Sequence, residues 1–311
     1  MLRRILLASA GAMALAGTAV AADLPSRAPP PVFLPPPPVF TWTGLYVGIN
    51  AGYTWGASNN VTVSTAPGFI SPGDIAAGGG PFGVAAAVGA NGVLGTGGNS
   101  GFIGGGQIGY NFQFYNSWLI GIEADIQGIA GTRSSGSLGT STPIIPGSAV
   151  TTALSASKSL DYLGTVRGRF GFLVTPTLLI YGTGGLAYGG ANANVSIVGQ
   201  FTPPPNPSIT EPWFSNAAFS DTRVGWTAGG GLEWLFAPNW SAKVEYLYYD
   251  LGTVSFNAGA LVSNNIGGAF GGGNFFTHLP IVSTRFNGNI VRAGLNYHFN
   301  LWGPAPIVAK Y

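Results

Sequence analysis

The chain has 311 residues, of which 7% are charged and 51 are glycine, whereas about 25% of the residues of an average soluble domain are charged. Cysteine is absent, which excludes disulfide bonds and thiolate metal sites. The twelve basic and ten acidic residues form no basic patch, so the composition gives no reason to expect nucleic acid as a partner.

The first 21 residues have the pattern of a secretory signal peptide. Arg3 and Arg4 form a positively charged N-terminal region, residues 5–18 are apolar or small, and Ala19-Val20-Ala21 fits a signal-peptidase cleavage site. The alternative is an uncleaved N-terminal helix. Cleavage removes two of the twelve basic residues and leaves ten residues of each sign, so the mature chain is formally neutral.

The rest of the chain contains no apolar run of 18 residues, so no membrane-spanning helix is expected. The mean hydropathy of the chain is nevertheless +0.32. A closed β-barrel is the only other structure that satisfies every backbone polar group inside a bilayer. An exported, apolar chain of low charge therefore predicts a barrel in the outer membrane.

Residues 22–41 include the proline-rich stretch "LPSRAPPPVFLPPPP" (24–38), which predicts extended polyproline II structure. We interpret residues 22–41 as a semi-rigid periplasmic spacer between the signal peptide and the folded domain. A docking site for a partner in the cell envelope is the alternative.

Eight strand-like segments follow, and each is long enough to cross a bilayer as a tilted strand. They cover residues 42–56, 100–114, 118–131, 158–173, 178–192, 221–236, 240–254 and 285–299. The connections alternate between short ones and long ones: 115–117, 174–177 and 237–239 are short, and 57–99, 132–157, 193–220 and 255–284 are long.

This order predicts that residues 42–299 form an all-β domain, an eight-stranded antiparallel up-and-down transmembrane β-barrel. Its short turns would be periplasmic and its four long loops extracellular. Both termini would then be periplasmic, and residues 300–311 would form a periplasmic tail. Within the first long loop, residues 73–95 suggest a short helix or apolar lip, although their glycines argue against a stable helix.

Aromatic residues favour the same topology, because they lie near both ends of the segments, as expected for two membrane interfaces. The band beside the short turns contains Phe112, Phe114, Trp118, Phe170, Phe172, Trp234, Phe236, Trp240, Tyr297 and Phe299. The band towards the long loops contains Tyr53, Trp55, Tyr188, Trp226, Tyr246 and Tyr248.

The segment "LIGIEADIQGIAG" (119–131) alternates apolar residues such as Ile122 with polar ones such as Glu123, a period of two that predicts one apolar and one polar strand face. Lipid excludes charge, and side chains fill the interior of an eight-stranded barrel. We therefore predict that the polar faces line the lumen, where four acids and four bases neutralise one another. This lumen charge network comprises Glu123, Asp125, Arg167, Arg169, Glu233, Lys243, Glu245 and Arg292.

Two details of register depend on the short turns. If residues 237–239 form a three-residue turn, Phe236 pairs with Trp240, and Glu233 lies opposite Lys243. In segment 178–192, the turn at 174–177 does not determine the register, so either Ile180 or Tyr181 could face lipid.

The main functional alternative is a small-solute diffusion channel of the porin type. Inward glycines could leave water-filled gaps beside the charge network; they are Gly225, Gly229, Gly231 and Gly294. Balanced ion pairs in a narrow barrel would instead occlude the lumen, which favours a structural role.

An enzyme is the less favoured alternative, and we predict no catalytic, cofactor-binding or metal-binding residues. The paired carboxylates at 123 and 125 lack a route for a substrate. His278 near Asp221 or Asp250 would be conceivable only with a positioned nucleophile. His278 and His298 are predicted at opposite ends of the barrel, which argues against a metal site.

Several stretches resemble the alphaproteobacterial outer-membrane immunogenic proteins: "AVAADLP", "WTGLYVGINAGYTWG", "GFIGGGQIGYNFQF", "LDYLGTVRGRFGF", "GWTAGGGLEWLFAPNWSAKVEYLYYDLG" and "NIVRAGLNYHF". The resemblance spans nearly the whole mature chain and follows the family's order. It implies an OmpA-like eight-stranded barrel in the outer membrane, acting as a surface antigen and often described as a porin. Some relatives are described as haemin binders, but no motif here transfers that ligand.

The last strand ends in an alternating apolar series that barrel-assembly machinery typically recognises. We predict that Leu295, Tyr297 and Phe299 form this C-terminal assembly signal, although a tail containing Pro304 and Pro306 follows it. The expected partners are outer-membrane lipid and the assembly machinery during biogenesis. The extracellular loops would meet a ligand or host factor that the sequence does not identify.

Overall fold

The computed structural model describes residues 41–66, 79–97, 100–131, 133–202, 211–263 and 275–299. The predicted signal peptide, all of the spacer except Thr41, and the C-terminal tail lie outside these residues. The elements in chain order are β1 (Gly44–Gly56), β2 (Asn60–Ser64), α1 (Gly79–Ala90), β3 (Gly92–Gly95), β4 (Ser100–Phe114), β5 (Trp118–Gly131), β6 (Ser134–Ile145), β7 (Ser148–Thr175), β8 (Leu178–Thr202), β9 (Glu211–Ala237), β10 (Trp240–Asn257), β11 (Leu261–Ser263), β12 (Phe275–His278) and β13 (Ile281–Phe299).

The main sheet is an antiparallel ring, which confirms the predicted all-β class. Its hydrogen-bonded order is β1–β4–β5–β7–β8–β9–β10–β13, and β13 also pairs with β1, so these eight strands close on themselves. Three further strands join the same sheet, since β2 and β3 continue it from β13 and β6 pairs with β7. The sheet therefore has eleven strands, and β11 and β12 form a separate hairpin.

Three tight turns lie at one end of the ring, which we call the turn end. The turn at 115–117 matches the prediction, whereas β8 begins after a two-residue turn at 176–177. The predicted pairing of Phe236 with Trp240 is wrong, because Trp240 pairs with Ala237 and the register then shifts by one residue. This bulge restores the register, so Lys243 does lie opposite Glu233 as predicted.

The outward faces of the ring strands carry exposed apolar side chains at a density that water-soluble surfaces rarely show. Ile49 is 68% exposed and Ile122 56%, and both lie in the middle of their strands. We call the exposed apolar surface around the ring the belt. Its residues include Val47, Ile49, Tyr53, Phe102, Ile108, Phe112, Trp118, Ile120, Ile122, Ile126, Val166, Phe170, Phe172, Ile180, Leu186, Val224, Trp226, Leu232, Trp234, Val244, Tyr246, Val291, Leu295 and Tyr297.

Beyond the belt, at the end opposite the turns, the sheet continues where long loops were predicted. Strands β7, β8 and β9 have 28, 25 and 27 residues, about twice what a tilted crossing needs. In the described residues, much of what was predicted as long loops is therefore strand, and that part of the prediction is wrong. We call this part, formed by β2, α1, β3, β6 and the adjoining ends of β7–β10 and β13, the extension.

The extension has an apolar core of its own, built around α1. Buried Ala86 and Ala90 on the helix belong to the same cluster as Leu154 on β7 and Trp213 on β9. The helix forms although glycine disfavours helices, because small residues let it pack closely: a Cβ at Gly89 would lie 2.7 Å from the Thr152 hydroxyl. Among the described residues, no helix has the length and apolar character needed to cross a membrane.

Lys158 is a buried cation of the extension, eight residues before Val166, the first β7 residue of the belt. It is 4% exposed, and its ammonium donates to the backbone carbonyls of Ser58 and Arg285. No carboxylate within the described residues forms an ion pair with it. Burial therefore lowers the pKa of Lys158 from 10.5 to about 8.

The lowered pKa of Lys158 predicts that stability rises with pH. Between pH 8 and 10.5 the unfolded chain binds a proton that the folded protein has released, so the free energy of unfolding increases, by at most about 3 kcal/mol. Below pH 8 this contribution is constant. Urea unfolding followed by tryptophan fluorescence between pH 7.5 and 9.5 measures the slope. The Lys158→Met variant should lose it, and an unchanged slope in that variant would contradict the assignment.

Candidate functional site in the barrel lumen

The eight charged residues predicted for the lumen lie together inside the ring. They are contributed by β5, β7, β9, β10 and β13. Because side chains alternate between the two faces of a strand, these residues point inward, away from the belt. Each is at most 4% exposed, and their ionised side chains form nine of the eleven ion pairs found in the described residues. Four acids and four bases make the group formally neutral.

Glu123 is the centre of this network. Its Oε1 accepts from Arg167 Nη2 at 2.5 Å and from Lys243 Nζ at 2.8 Å. Its Oε2 accepts from the Tyr46 hydroxyl at 2.6 Å and lies 3.5 Å from Arg169 Nη1. A single carboxylate therefore connects side chains from β1, β5, β7 and β10.

Two arginines, Arg167 and Arg292, both bind the two acids Asp125 and Glu245. Arg167 donates to Asp125 Oδ2 and Glu245 Oε1, each at 2.9 Å. Arg292 donates to the same two carboxylates, at 2.9 Å to Asp125 Oδ2 and 2.5 Å to Glu245 Oε2. The planar guanidinium suits this arrangement because it presents several donors in a fixed geometry.

Glu233 lies on the turn side of the network and binds a different partner from the one its register suggests. Its Oε2 accepts from Arg169 Nη2 at 2.5 Å, while Lys243, directly opposite on β10, points to Glu123. Its Oε1 accepts from Ser241 at 2.6 Å and from Asn296 at 2.7 Å. Cross-strand register accounts for the Glu123–Arg167 and Glu245–Arg292 ion pairs. Other pairs, such as Lys243–Glu123, form across the lumen.

Two tyrosines complete the network and were not predicted. The Arg169 guanidinium lies 4.0 Å from the centre of the Tyr181 ring, and the Tyr181 hydroxyl donates to Glu245 Oε1 at 3.0 Å. Tyr46 also accepts from Arg169 Nη1 at 2.7 Å. Tyr46 shares the parity of inward Asn50, so alternation along β1 would have found it. The open question in β8 is answered, since Ile180 is 48% exposed and Tyr181 4%.

Apolar layers lie on both sides of the network along the barrel axis. At the turn end, Trp42 is 1% exposed and packs inside the ring with inward leucines, Leu119, Leu173, Leu179 and Leu235. Trp42 precedes β1, and its indole N–H donates to the Pro176 carbonyl at 3.0 Å. Towards the extension, inward side chains form the second layer, which includes Ile103, Leu163, Leu247, Tyr249 and Ile290.

The four inward glycines named above lie in close contact with neighbouring atoms. A Cβ at Gly225 or Gly229 would collide with the backbone of β10, and one at Gly231 would lie 2.8 Å from the Tyr181 hydroxyl. At Gly294 it would lie 3.2 Å from Lys243 Cε. These four positions therefore have no room for a side chain, because neighbouring atoms lie within 3.2 Å of where its Cβ would be.

The surroundings of His298 do not have the geometry of a catalytic triad. Ser241 Oγ is 2.9 Å from His298 Nε2, but Glu233 approaches the same ring nitrogen, at 3.6 Å, whereas a catalytic triad needs the acid on the other nitrogen. Asp250 accepts from Arg285 and from the Gly252 backbone N–H. His278 lies in β12, opposite Leu261.

A closed antiparallel ring with an apolar exterior and a charged interior has the architecture of an outer-membrane β-barrel. The sequence comparison agrees, since the family model for the outer membrane protein β-barrel domain matches residues 6–299. The chain belongs to this family, and the resemblance stated from its strand motifs is confirmed.

Curated relatives include outer-membrane immunogenic proteins of Brucella. The chain is 33% identical over 310 residues to the 31 kDa outer-membrane immunogenic protein of Brucella melitensis, covering 96% of this chain and 100% of the relative. It is 26% identical over 267 residues to the 25 kDa protein of the same description from Brucella abortus, covering 85% and 92%. Among solved structures, the outer membrane protein OprG of Pseudomonas aeruginosa is 10% identical with a TM-score of 0.36, covering 84% of this chain and 98% of that one.

Proposed function

We propose that the protein is a structural outer-membrane barrel and surface antigen whose lumen is closed to solutes. The observation that carries this proposal is the stacking of three layers in the lumen: an apolar layer with Trp42, the buried ion-pair network, and a second apolar layer. A solute would have to separate paired charges in a water-poor interior, which costs several kcal/mol per ion. The antigen role rests on the relatives, which are named immunogenic proteins.

In this proposal the eight ring strands cross the membrane, with the tight turns in the periplasm and the extension outside the cell. Outer-membrane barrels have short periplasmic turns and longer external connections, which supports this orientation. Trp42 and Phe299 both lie at the turn end, so both termini would be periplasmic. Exposed aromatic side chains near the turns, such as Trp118 and Trp234, suit the inner interface.

The predicted assembly signal has a geometry that supports its role. Leu295, Tyr297 and Phe299 alternate along the last strand, and they pair with Ile49, Val47 and Leu45 of β1 at the seam that closes the ring. If the barrel-assembly machinery recognises this series, it binds the strand that pairs with β1 to close the ring.

Conductance of the purified protein in planar bilayers tests the closed lumen. We expect the wild-type protein to give no discrete openings, because the network and both apolar layers are intact. A Trp42→Ala/Glu245→Ser/Arg292→Ser/Leu247→Ala variant, which stays neutral and removes a large side chain from each of the three layers, should conduct and so shows that insertion is detectable. Ile122→Ala, a belt variant, should remain silent.

Folding of each sample is checked by heat-modifiable migration on a gel. Discrete openings of the folded wild-type protein would contradict the closed lumen and favour the small-solute channel.

A further inference from the structure

The outward face of the extension carries a long concave surface, which we call the trough. It crosses the sheet formed by β6, β7, β8 and β9 and comprises two adjoining cavities of about 700 and 390 Å³. Its inward counterpart is the apolar core around α1, so the trough lies on the opposite, solvent-facing side of the same strands.

Neighbouring strands supply the floor of the trough in register. Ser137, Ser155, Ser196 and Asn216 form one row across four strands, since consecutive members are paired residues. Ser157 and Asn194 are paired in the next row towards the belt. The floor is concave because these side chains are short.

The chemistry of the floor restricts its partner. None of the described residues that line either cavity is charged, so the trough offers nothing to a polyanion or a cation. Protein interfaces are enriched in aromatic residues and arginine and depleted in serine and alanine, which disfavours a protein partner. Hydroxyl and amide groups each donate and accept, which matches a partner covered with hydroxyl groups.

An aromatic ring lies between the trough and the belt. Tyr162 packs flat over Gly190 on the neighbouring strand, where a Cβ would lie 2.7 Å from the ring. Its hydroxyl bonds to the Thr222 hydroxyl at 2.8 Å. A ring held flat against the sheet presents its other face outward, as a platform for the C–H face of a sugar.

The height of the trough above the belt identifies the source of such a partner. Asn194 lies eight residues beyond Leu186, the last belt residue of β8, which is about 26 Å along the strand and about 20 Å above the belt at a strand tilt of about 40°. In an outer membrane, the outer leaflet is lipopolysaccharide, and its saccharide chains surround a barrel at this height. Because these chains are anchored beside the protein, their effective concentration is high and weak hydrogen bonds suffice.

We propose that the trough binds the neutral saccharide units of lipopolysaccharide in the surrounding outer leaflet. This inference rests on the proposed topology, which places the extension outside the cell. The trough would hold saccharide against the part of the extension formed by β6–β9 and leave the part formed by β10 and β13 uncovered.

The chain has no cysteine, so single-cysteine variants report one position each. The test measures the rate at which a membrane-impermeant maleimide modifies Ser155→Cys in intact cells that make complete lipopolysaccharide and in cells that make lipopolysaccharide truncated to its lipid anchor. The control is Ser255→Cys, an exposed outward position on β10 of the extension.

We expect modification of Ser155→Cys to be about fivefold slower with complete lipopolysaccharide, the factor given by one net hydrogen bond. The control should react at the same rate in both cells. Adding Asn194→Leu, which removes the amide donors and the amide acceptor from the floor, should remove the difference.

Equal rates for Ser155→Cys in the two cell types, or an equal slowing of Ser255→Cys, would overturn the saccharide proposal alone. Modification of Ser155→Cys only after cell lysis would overturn the proposed topology as well, so the two failures are distinguishable.

Discussion

The Glu123→Gln variant is expected to lose about 3–5 kcal/mol of its free energy of unfolding, the cost of removing one partner from a buried ion pair. Glu123 is fully buried and binds Arg167 and Lys243 directly. Its neutralisation leaves one uncompensated positive charge in the lumen. Urea unfolding of the protein reconstituted in lipid vesicles, followed by tryptophan fluorescence, measures the loss.

A second substitution tests whether charge balance is the cause. Lys243 Nζ bonds only to the two oxygens of Glu123 among the described residues, so Glu123→Gln/Lys243→Met restores neutrality and should recover a large part of the loss. The control Asp161→Asn removes an exposed acid that bonds to Asn192, and it should change stability by less than about 0.5 kcal/mol. A Glu123→Gln variant as stable as the wild-type protein would contradict the central role of this carboxylate.

The Trp42→Ala variant is expected to lose about 3–5 kcal/mol, as buried tryptophan residues do when truncated to alanine. The indole closes the turn end from inside the ring, where it packs on the leucine layer, and its ring lies edge-on to His298 at 5.8 Å. Its removal leaves a cavity and an unpaired Pro176 carbonyl. The same vesicle unfolding experiment measures the effect.

Two further variants test whether the loss of stability comes from the internal position of Trp42 or would follow the loss of any tryptophan. Trp42→Phe keeps most of the apolar volume and should lose less than Trp42→Ala. Trp118→Ala removes an indole that is 39% exposed in the belt, where lipid replaces the lost contacts. If Trp118→Ala cost more than Trp42→Ala, the internal position of Trp42 would not be what stabilises the turn end.

The ring and the set of lumen charges were predictable because a strand has a side-chain period of two. Once lipid is assigned to one face, the parity of Glu123 or Arg167 fixes its direction without knowledge of the neighbouring strands. Which acid meets which base follows from register for Glu123–Arg167 and Glu245–Arg292, but not for Lys243. Lys243 is opposite Glu233 in the sheet but reaches Glu123, because the shortest paths cross the lumen and depend on the curvature of the ring.

The extension and the internal position of Trp42 were not predictable from the sequence, for different reasons. In residues 148–160 inward positions include Thr152 and Ala156 beside Leu154, and outward positions include Ala153, so small residues on both faces weaken the alternation. Helix α1 is stabilised by packing on the extension core, which glycine content does not reveal. Trp42 resembles any interface tryptophan in the sequence, and only the path of the chain before β1 places it inside the ring.

The measurement that most directly tests the account is the environment of spin labels attached at single cysteines on either side of the belt boundary. Ile122→Cys lies in the belt, and Ser155→Cys lies on the outward face of the extension. In vesicles, the label at position 122 is predicted to be accessible to oxygen and shielded from a water-soluble nickel complex, with the reverse at position 155. A label at position 122 that the nickel complex reaches as readily as one at 155 would contradict an apolar exterior embedded in lipid.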